Sequence, residues 1–325
     1  MFGKSIKGAK ITRILYGSDF HGSEAVFRKF LAAGIQYRAD ILIVGGDVTG
    51  KAMVPIIHLG GGRYVGYVFG RKEEASTPEE LARVKRIVNN VGFYPIAIEK
   101  DEANELEKNP DLMAKRFAAE MCQRIREWMR LAEEKLVPQH IQLFFMPGND
   151  DLNLIDEVIA EFQDVRNPDM KHFIIGDEYE LVGNSNSNMT PWACPRDIEE
   201  DELEKKLAEL EHLIQDPGHT IAVLHVPPFQ SGLDTCPELD GNLKIITHGG
   251  QVLMKSAGST AVKAFIERVS PMLALHGHIH ESPGHVRIGR TLAINAGSEY
   301  AEGILKAAII NLQDGGVKGH LLVSG

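Results

Sequence analysis

Five apolar runs in this chain each end in a residue able to hold a metal ion, and this constrains the fold more than any other feature. Residues 11–16 lead to Asp19-Phe20-His21, and 41–44 lead through Gly45-Gly46 to Asp47. Residues 141–146 lead to Gly148-Asn149-Asp150-Asp151. Residues 221–224 end at His225, and 272–275 end at Gly277-His278-Ile279-His280. Short apolar runs bounded by glycine and polar residues read as buried strands. Ligands of open α/β sheets sit outside the carboxyl ends of the strands. One site assembled from five strand ends accounts for the pattern better than five unrelated motifs do.

The remaining segments fill in an α/β (α+β) chain. The spacing predicts a helix over 23–34 between the first two strands. From about 55 to 138 the rhythm breaks, and this stretch reads as an insertion into a single domain of 325 residues. It opens with a hairpin over 55–69 around Gly60, Gly61 and Gly62. A helix follows, with Thr77 and Glu80 as a capping box and Leu81, Val84, Val88 and Val91 on one face. A long helix starts at Asn109-Pro110 and ends before Pro138, with Met113, Phe117, Met121, Ile125, Trp128 and Leu136 as its apolar stripe. Beyond it the pattern predicts a helix over 152–162 and strands over 172–175 and 178–182. Asp197 with Glu200 reads as the capping pattern of a helix carrying Leu203, Leu207, Leu210 and Ile214. Ser259 and Thr260 open a helix to about 269. Short strands then dominate: 286–288, 292–295, 305–312 and 320–323. Two sheets stacked between helical layers fit this order.

The five motifs make sense as one chemistry. Residues i and i+2 of extended backbone point the same way, so Asp19 and His21 are expected to grip one ion together, while His278 and His280 can reach two. Asp47 has two oxygens and can bridge a pair of cations. The candidate donors are Asp19, His21, Asp47, Asn149, His225, His278 and His280. Oxygen and imidazole donors without cysteine suit borderline divalent metals rather than a structural zinc site. With neutral imidazoles the two carboxylates leave a pair of divalent ions in excess, so the occupied site attracts phosphate. Two ions roughly 3.5–4 Å apart activate water and clamp phosphoryl oxygens.

The order Asp-x-His, Gly-Asp, Gly-Asn, His, Gly-His-x-His resembles the calcineurin-like metallophosphoesterases. Finer strings are similar to a prokaryotic branch of predicted phosphoesterases related to cyclic-AMP phosphodiesterase. They include Thr190-Pro191-Trp192, His225-Val226-Pro227-Pro228, Gly258-Ser259-Thr260-Ala261-Val262 and Asn295-Ala296-Gly297-Ser298-Glu299-Tyr300. The resemblance covers most of the chain. It implies a four-layer αββα sandwich of two mixed sheets and a two-metal site. By position, Asp19, His21, Asp47 and His280 are implied to hold one ion, and Asp47, Asn149, His225 and His278 the other. Manganese is the expected metal, with iron, zinc, nickel and magnesium as alternatives. The implied activity is hydrolysis of small phosphodiesters of nucleotide size, with a monoesterase second.

One position departs from the pattern. The family usually has histidine after Gly-Asn, assigned to the leaving group, and this chain has Asp150 followed by Asp151. Asp150 can serve as an acid only if burial or a charged neighbour raises its pKa. The other reading is that it orients a ligand histidine. His21 and Asp150 are thus the candidate catalytic side chains. A non-catalytic metal-binding module acting through the 55–138 segment is the alternative from another class.

Lesser signals complete the reading. Gly45 to Ala52 nearly spells a nucleotide-binding P-loop, but Ala52 stands where a magnesium-binding hydroxyl belongs. Lys51 can contact phosphate or simply face solvent, and His248 can line the pocket or sit on a loop. Lys and Arg total 35 against 45 Asp and Glu, a net charge of −10, which disfavours stable nucleic-acid binding. Cys122, Cys194 and Cys236 form neither a disulfide framework nor a zinc pattern. With no apolar leader or membrane span, a cytoplasmic location is expected, with a small phosphate ester as partner. A homodimer stays open.

Overall fold

In a computed structural model the chain is described over residues 11–176 and 178–325. Two six-stranded sheets lie face to face. The first runs Gly316–Ser324, Lys306–Gln313, Thr12–Gly17, Ile41–Gly45, Gln142–Met146, Val165–Arg166. Its last four strands are parallel, and the C-terminal hairpin joins Thr12–Gly17 antiparallel. The second sheet runs Gly284–Ile288, Thr291–Asn295, Leu273–His276, Thr220–Leu224, Tyr179–Asn184, His172–Ile175. Its four central strands are parallel and both edges antiparallel. The fold is thus an αββα sandwich of two mixed sheets.

Period-two side-chain alternation builds the layers. Ile14, Tyr16, Ile41, Ile43, Phe144 and Met146 face the second sheet and meet Leu181, Ile221, Val223, Leu273, Leu275 and Ile294. The intervening Leu15, Leu42, Val44 and Phe145 point the other way, onto the helices Glu24–Gln36, Pro110–Leu136 and Leu154–Ala160. Across the molecule, Glu200–Glu211 and Thr260–Val269 cover Val182, Ala222, Leu224 and Ala274. Trp128 stacks on Phe27 with centroids 4.3 Å apart and donates from Nε1 to Glu24 Oε2 at 2.7 Å, so the long helix is locked onto the first sheet's helix.

Between Ile41–Gly45 and Gln142–Met146 the chain makes a third, four-stranded sheet in the order Arg71–Ala75, Tyr64–Val68, Met53–His58, Tyr94–Glu99. The expected hairpin is there, and Thr77 Oγ1 accepts from Glu80 N at 3.2 Å. The box is open on its other side, because the Glu80 carboxylate takes the Ser76 N–H instead. The strands Arg71–Ala75 and Tyr94–Glu99 and the helix Lys100–Lys108 have no counterpart in the sequence reading. The first is an edge strand carrying Arg, Lys and two Glu, so its apolar pattern is nearly erased.

The Asp197–Glu200 capping reading is overturned. The helix Glu200–Glu211 has Glu199 at its cap and no side-chain cap bond. Glu200 reaches across instead to the start of the Thr260–Val269 helix, accepting from Ser259 Oγ at 2.8 Å and Ala261 N at 2.9 Å. A carboxylate is stabilised at a helix N-terminus, and here the helix is a neighbour's.

Candidate metal centre

All five motif strands are adjacent in their sheets: Thr12–Gly17, Ile41–Gly45 and Gln142–Met146 in one, Thr220–Leu224 and Leu273–His276 in the other. Their loops knit together. Asp19 N and His21 N donate to Gly46 O and Asp47 O, both at 2.9 Å. Across the sandwich, His278 N donates to both Asp19 carboxylate oxygens at 3.0 Å. The expectation of extended backbone at Asp-x-His is wrong. Asp19, His21, Asp47 and His278 have φ of 58, 41, 51 and 65°. Tight left-handed turns, not a straight strand, converge the side chains. Gly46 must be glycine here: its φ is +125°, and a Cβ would lie 2.1 Å from His225 Nδ1.

Asp19, His21 and His280 form one donor set and Asp47, His225 and His278 a second, while His21, Asp47 and Asp150 make a third that overlaps them, with donor atoms in each set within 4.8 Å of one another. Asp47 links the first two, its Oδ2 3.7 Å from His21 Nε2 and its Oδ1 3.3 Å from His225 Nε2. Asn149 Oδ1 lies 3.0 Å from His225 Nε2 and 2.9 Å from His278 Nδ1. All seven predicted donors therefore lie together.

The hydrogen bonds behind these atoms decide what they face. His225 Nδ1 donates to Gly45 O at 2.9 Å, which leaves Nε2 of the neutral ring as an acceptor. Asn149 Nδ2 donates to Asp197 Oδ1 at 2.7 Å, which turns its Oδ1 toward the histidines. Acceptor thus faces acceptor. His21 Nε2 and His280 Nε2 stand 3.1 Å apart, close enough to share a proton or an ion. Buried lone pairs in opposition require a cation or a proton between them. The donor set fits divalent cations.

Protons fill that role when cations do not. Burial lowers the His225 pKa, yet the Asp47 carboxylate outweighs it and holds the ring at about 9. Burial, reinforced by His225, drives His278 down to about 4. Burial and then the Lys51 charge push His21 well below the usual histidine range. Asp47 stays well below the carboxylate range, because His225 overcomes its burial.

The two consecutive aspartates do different jobs. Asp151 is fully buried and accepts from Val48 N, Thr49 N, Thr49 Oγ1 and Gly148 N at 2.6–3.0 Å, so it braces the loop after Asp47. Burial raises its pKa to about 6. Asp150 faces the site. Its Oδ2 is 3.3 Å from Lys51 Nζ and 3.7 Å from His21 Nδ1, a buried nitrogen with no hydrogen-bond partner among the described residues. Burial and the Asp47 charge raise its pKa, against the pull of Lys51.

Sequence reasoning missed Asp197, which orients Asn149, and Ser187, whose Oγ lies 3.3 Å from His278 Nε2. It missed the role of Tyr300, whose ring packs on His21 and His280 at 4.6 and 5.8 Å. One signal was present: the apolar run before Asn184-Ser185-Asn186-Ser187 is a sixth strand ending in polar residues. Asn295 supports the histidine pair by donating to Ile279 O at 2.8 Å. His248 sits exposed on a two-stranded hairpin. Beside His280 a groove of about 430 Å³ opens, lined by Glu281, Glu299, Tyr300, Glu302 and Lys306.

No family model matches the chain. The uncharacterized protein MJ1162 of Methanocaldococcus jannaschii is 28% identical over 169 residues, 51% of this chain and 67% of that protein. A solved crystal structure aligns over 97% of this chain and 99% of its own at TM-score 0.54 and 18% identity. TT1561 of Thermus thermophilus does so over the same shares at TM-score 0.51 and 15% identity. These likenesses show a shared fold. No helix among the described residues is long and apolar enough to cross a membrane.

Proposed function

We propose that this chain is a divalent-metal-dependent phosphoesterase of the calcineurin-like type, acting on small phosphodiesters. One observation carries the reading: buried acceptors of His225, Asn149 and Asp47 face one another, and His21 Nε2 and His280 Nε2 converge beside them. Two divalent ions sharing Asp47 fit this arrangement, manganese being our first choice. Bound there, they supply Lewis acidity toward phosphoryl oxygens and lower the pKa of water.

The chain's own groups do the rest. Asp197 keeps the Asn149 oxygen aimed inward, and Gly45 O keeps the His225 tautomer. Full burial of Asp19, His21 and His225 keeps bulk water from the site's floor. The groove beside His280 has room for the organic group of a phosphate ester, and the preference for a diester over a monoester follows from the resemblance. We take the insertion at about 55–138 as an elaboration of one domain, and the enzyme as cytoplasmic with a small-molecule substrate.

The test is metal content and hydrolysis together. Two equivalents of Mn²⁺ per chain and diester hydrolysis abolished by chelator are expected; hydrolysis indifferent to chelator sinks the reading, and at most one bound ion without hydrolysis favours the interaction module. For Asp150, Asp150→Asn is compared with wild type on esters of graded leaving-group pKa. Equal losses on good and poor leaving groups remove it as the acid and leave it a His21-orienting residue.

A further inference from the structure

We propose that Lys51 is the residue that binds the substrate's phosphate beside the metal pair, with Asp150 as its positioning residue. The proposal rests on the phosphoesterase reading and names the group that handles the anion. Lys51 is not an ordinary surface lysine. Its backbone follows a loop fixed at every step: Asp47 Oδ1 accepts from Asp150 N at 3.0 Å, Val48 N and Thr49 N donate to Asp151, and Gly50 N donates to Tyr94 Oη at 2.7 Å. Gly50 is wedged so tightly that a Cβ would lie 2.0 Å from Gly92 O. The side chain leaves this rigid base and is about half exposed, 47%. Its ammonium stops at Asp150 Oδ2, an oxygen that also stands 3.7 Å from His21 Nδ1. The positive charge is thereby parked at the edge of the donor sets, near His21, with solvent on its other side.

Charge explains why a lysine belongs there. Asp150 lies at the mouth of the site, 28% of its side chain exposed, and an unpaired carboxylate at that point repels an arriving phosphate. Lys51 cancels it and keeps two ammonium protons for a further acceptor. Where the resemblance leads one to expect a histidine after Asn149, this chain has an aspartate that holds a lysine.

The experiment is titration of inorganic phosphate into the Mn²⁺-loaded protein by calorimetry, with bound metal measured in each variant. Lys51→Met is expected to weaken phosphate by about ten- to a hundredfold at unchanged metal content, the scale of one charge-assisted hydrogen bond. Lys51→Met combined with Asp150→Asn is expected to stay weak, because the direct contact is gone. Lys51→Arg is expected to retain most of the affinity. Wild-type affinity in Lys51→Met overturns the proposal. Full recovery in the double variant overturns it as well, since Lys51 then only screens Asp150. If wild type takes up manganese but no phosphate, the phosphoesterase reading falls and takes the proposal with it.

Discussion

The paired sheets and the small sheet of residues 53–99 solve the same problem differently. In the paired sheets, Ile41–Gly45 and Thr220–Leu224 are buried at every position, and their polar residues are held back for the loops at the tips. In the small sheet, Arg71–Ala75 is mostly exposed, and the core is three separate clusters such as Val54, Val68 and Val88. Yet the small unit touches the site's backbone. Ser23 Oγ donates to Asn90 O at 2.6 Å, and Arg124 of the long helix bridges the two regions by donating to Gly22 O at 2.7 Å and to Asn89 Oδ1. Chemistry is thus anchored in the region with the deepest core, and the shallower region leans on one of its loops.

That contrast can be broken by substitution. Asp47→Asn removes the charge shared by both donor sets and is expected to lower hydrolysis by about a thousandfold or more, since it takes away several kcal/mol of stabilisation. A variant with near-normal turnover refutes the shared role. Asp197→Ala frees Asn149 to turn its amide nitrogen inward. Affinity for the ion held by Asn149 is expected to fall about ten- to a hundredfold, the usual scale for losing a ligand's support. Unchanged affinity means that Asn149 is oriented by the histidines alone.

Acidity offers a third probe of the deeper region. Below pH about 9, His225 of the metal-free protein carries a proton that a cation must displace. Because this pKa is raised, metal affinity is expected to climb with pH by about tenfold per unit and to level off once the ring is already neutral. A titration flat from pH 6 to 9 contradicts the raised pKa of His225. The smallest effect belongs to the shallow region. Thr77→Ala deletes the cap of the helix Pro78–Asn90 and is expected to cost about 1 kcal/mol. Hydrogen exchange should speed up in residues 78–90 while metal affinity holds. Weaker metal binding in that variant shows the two regions to be coupled through Asn90 and Ser23.

Legibility in the sequence followed the same division. Buried parallel strands are runs of Val, Ile, Leu and Phe with polar residues at their ends, so most strands of the paired sheets, and the convergence of the seven candidate donors, could be found by reading along the chain. The backbone at those ends could not, because Asp19 and His21 adopt φ values that propensity argues against. Supporting residues were hidden for another reason. Asp197 looks like any helix cap until Asn149, 48 positions away in sequence, is seen to need it. Arg71–Ala75 was unreadable because its partner strand, not its composition, makes it a strand.

The left-handed turns at Asp19, His21, Asp47 and His278 have a consequence for laboratory evolution. Each costs the folded state on the order of 1 kcal/mol that glycine or asparagine would spare it. A population screened for heat tolerance alone should therefore drift toward those residues at the four positions and grow hardier as it loses the donor side chains. One screened for metal binding should keep the strained quartet and accept a lower melting point.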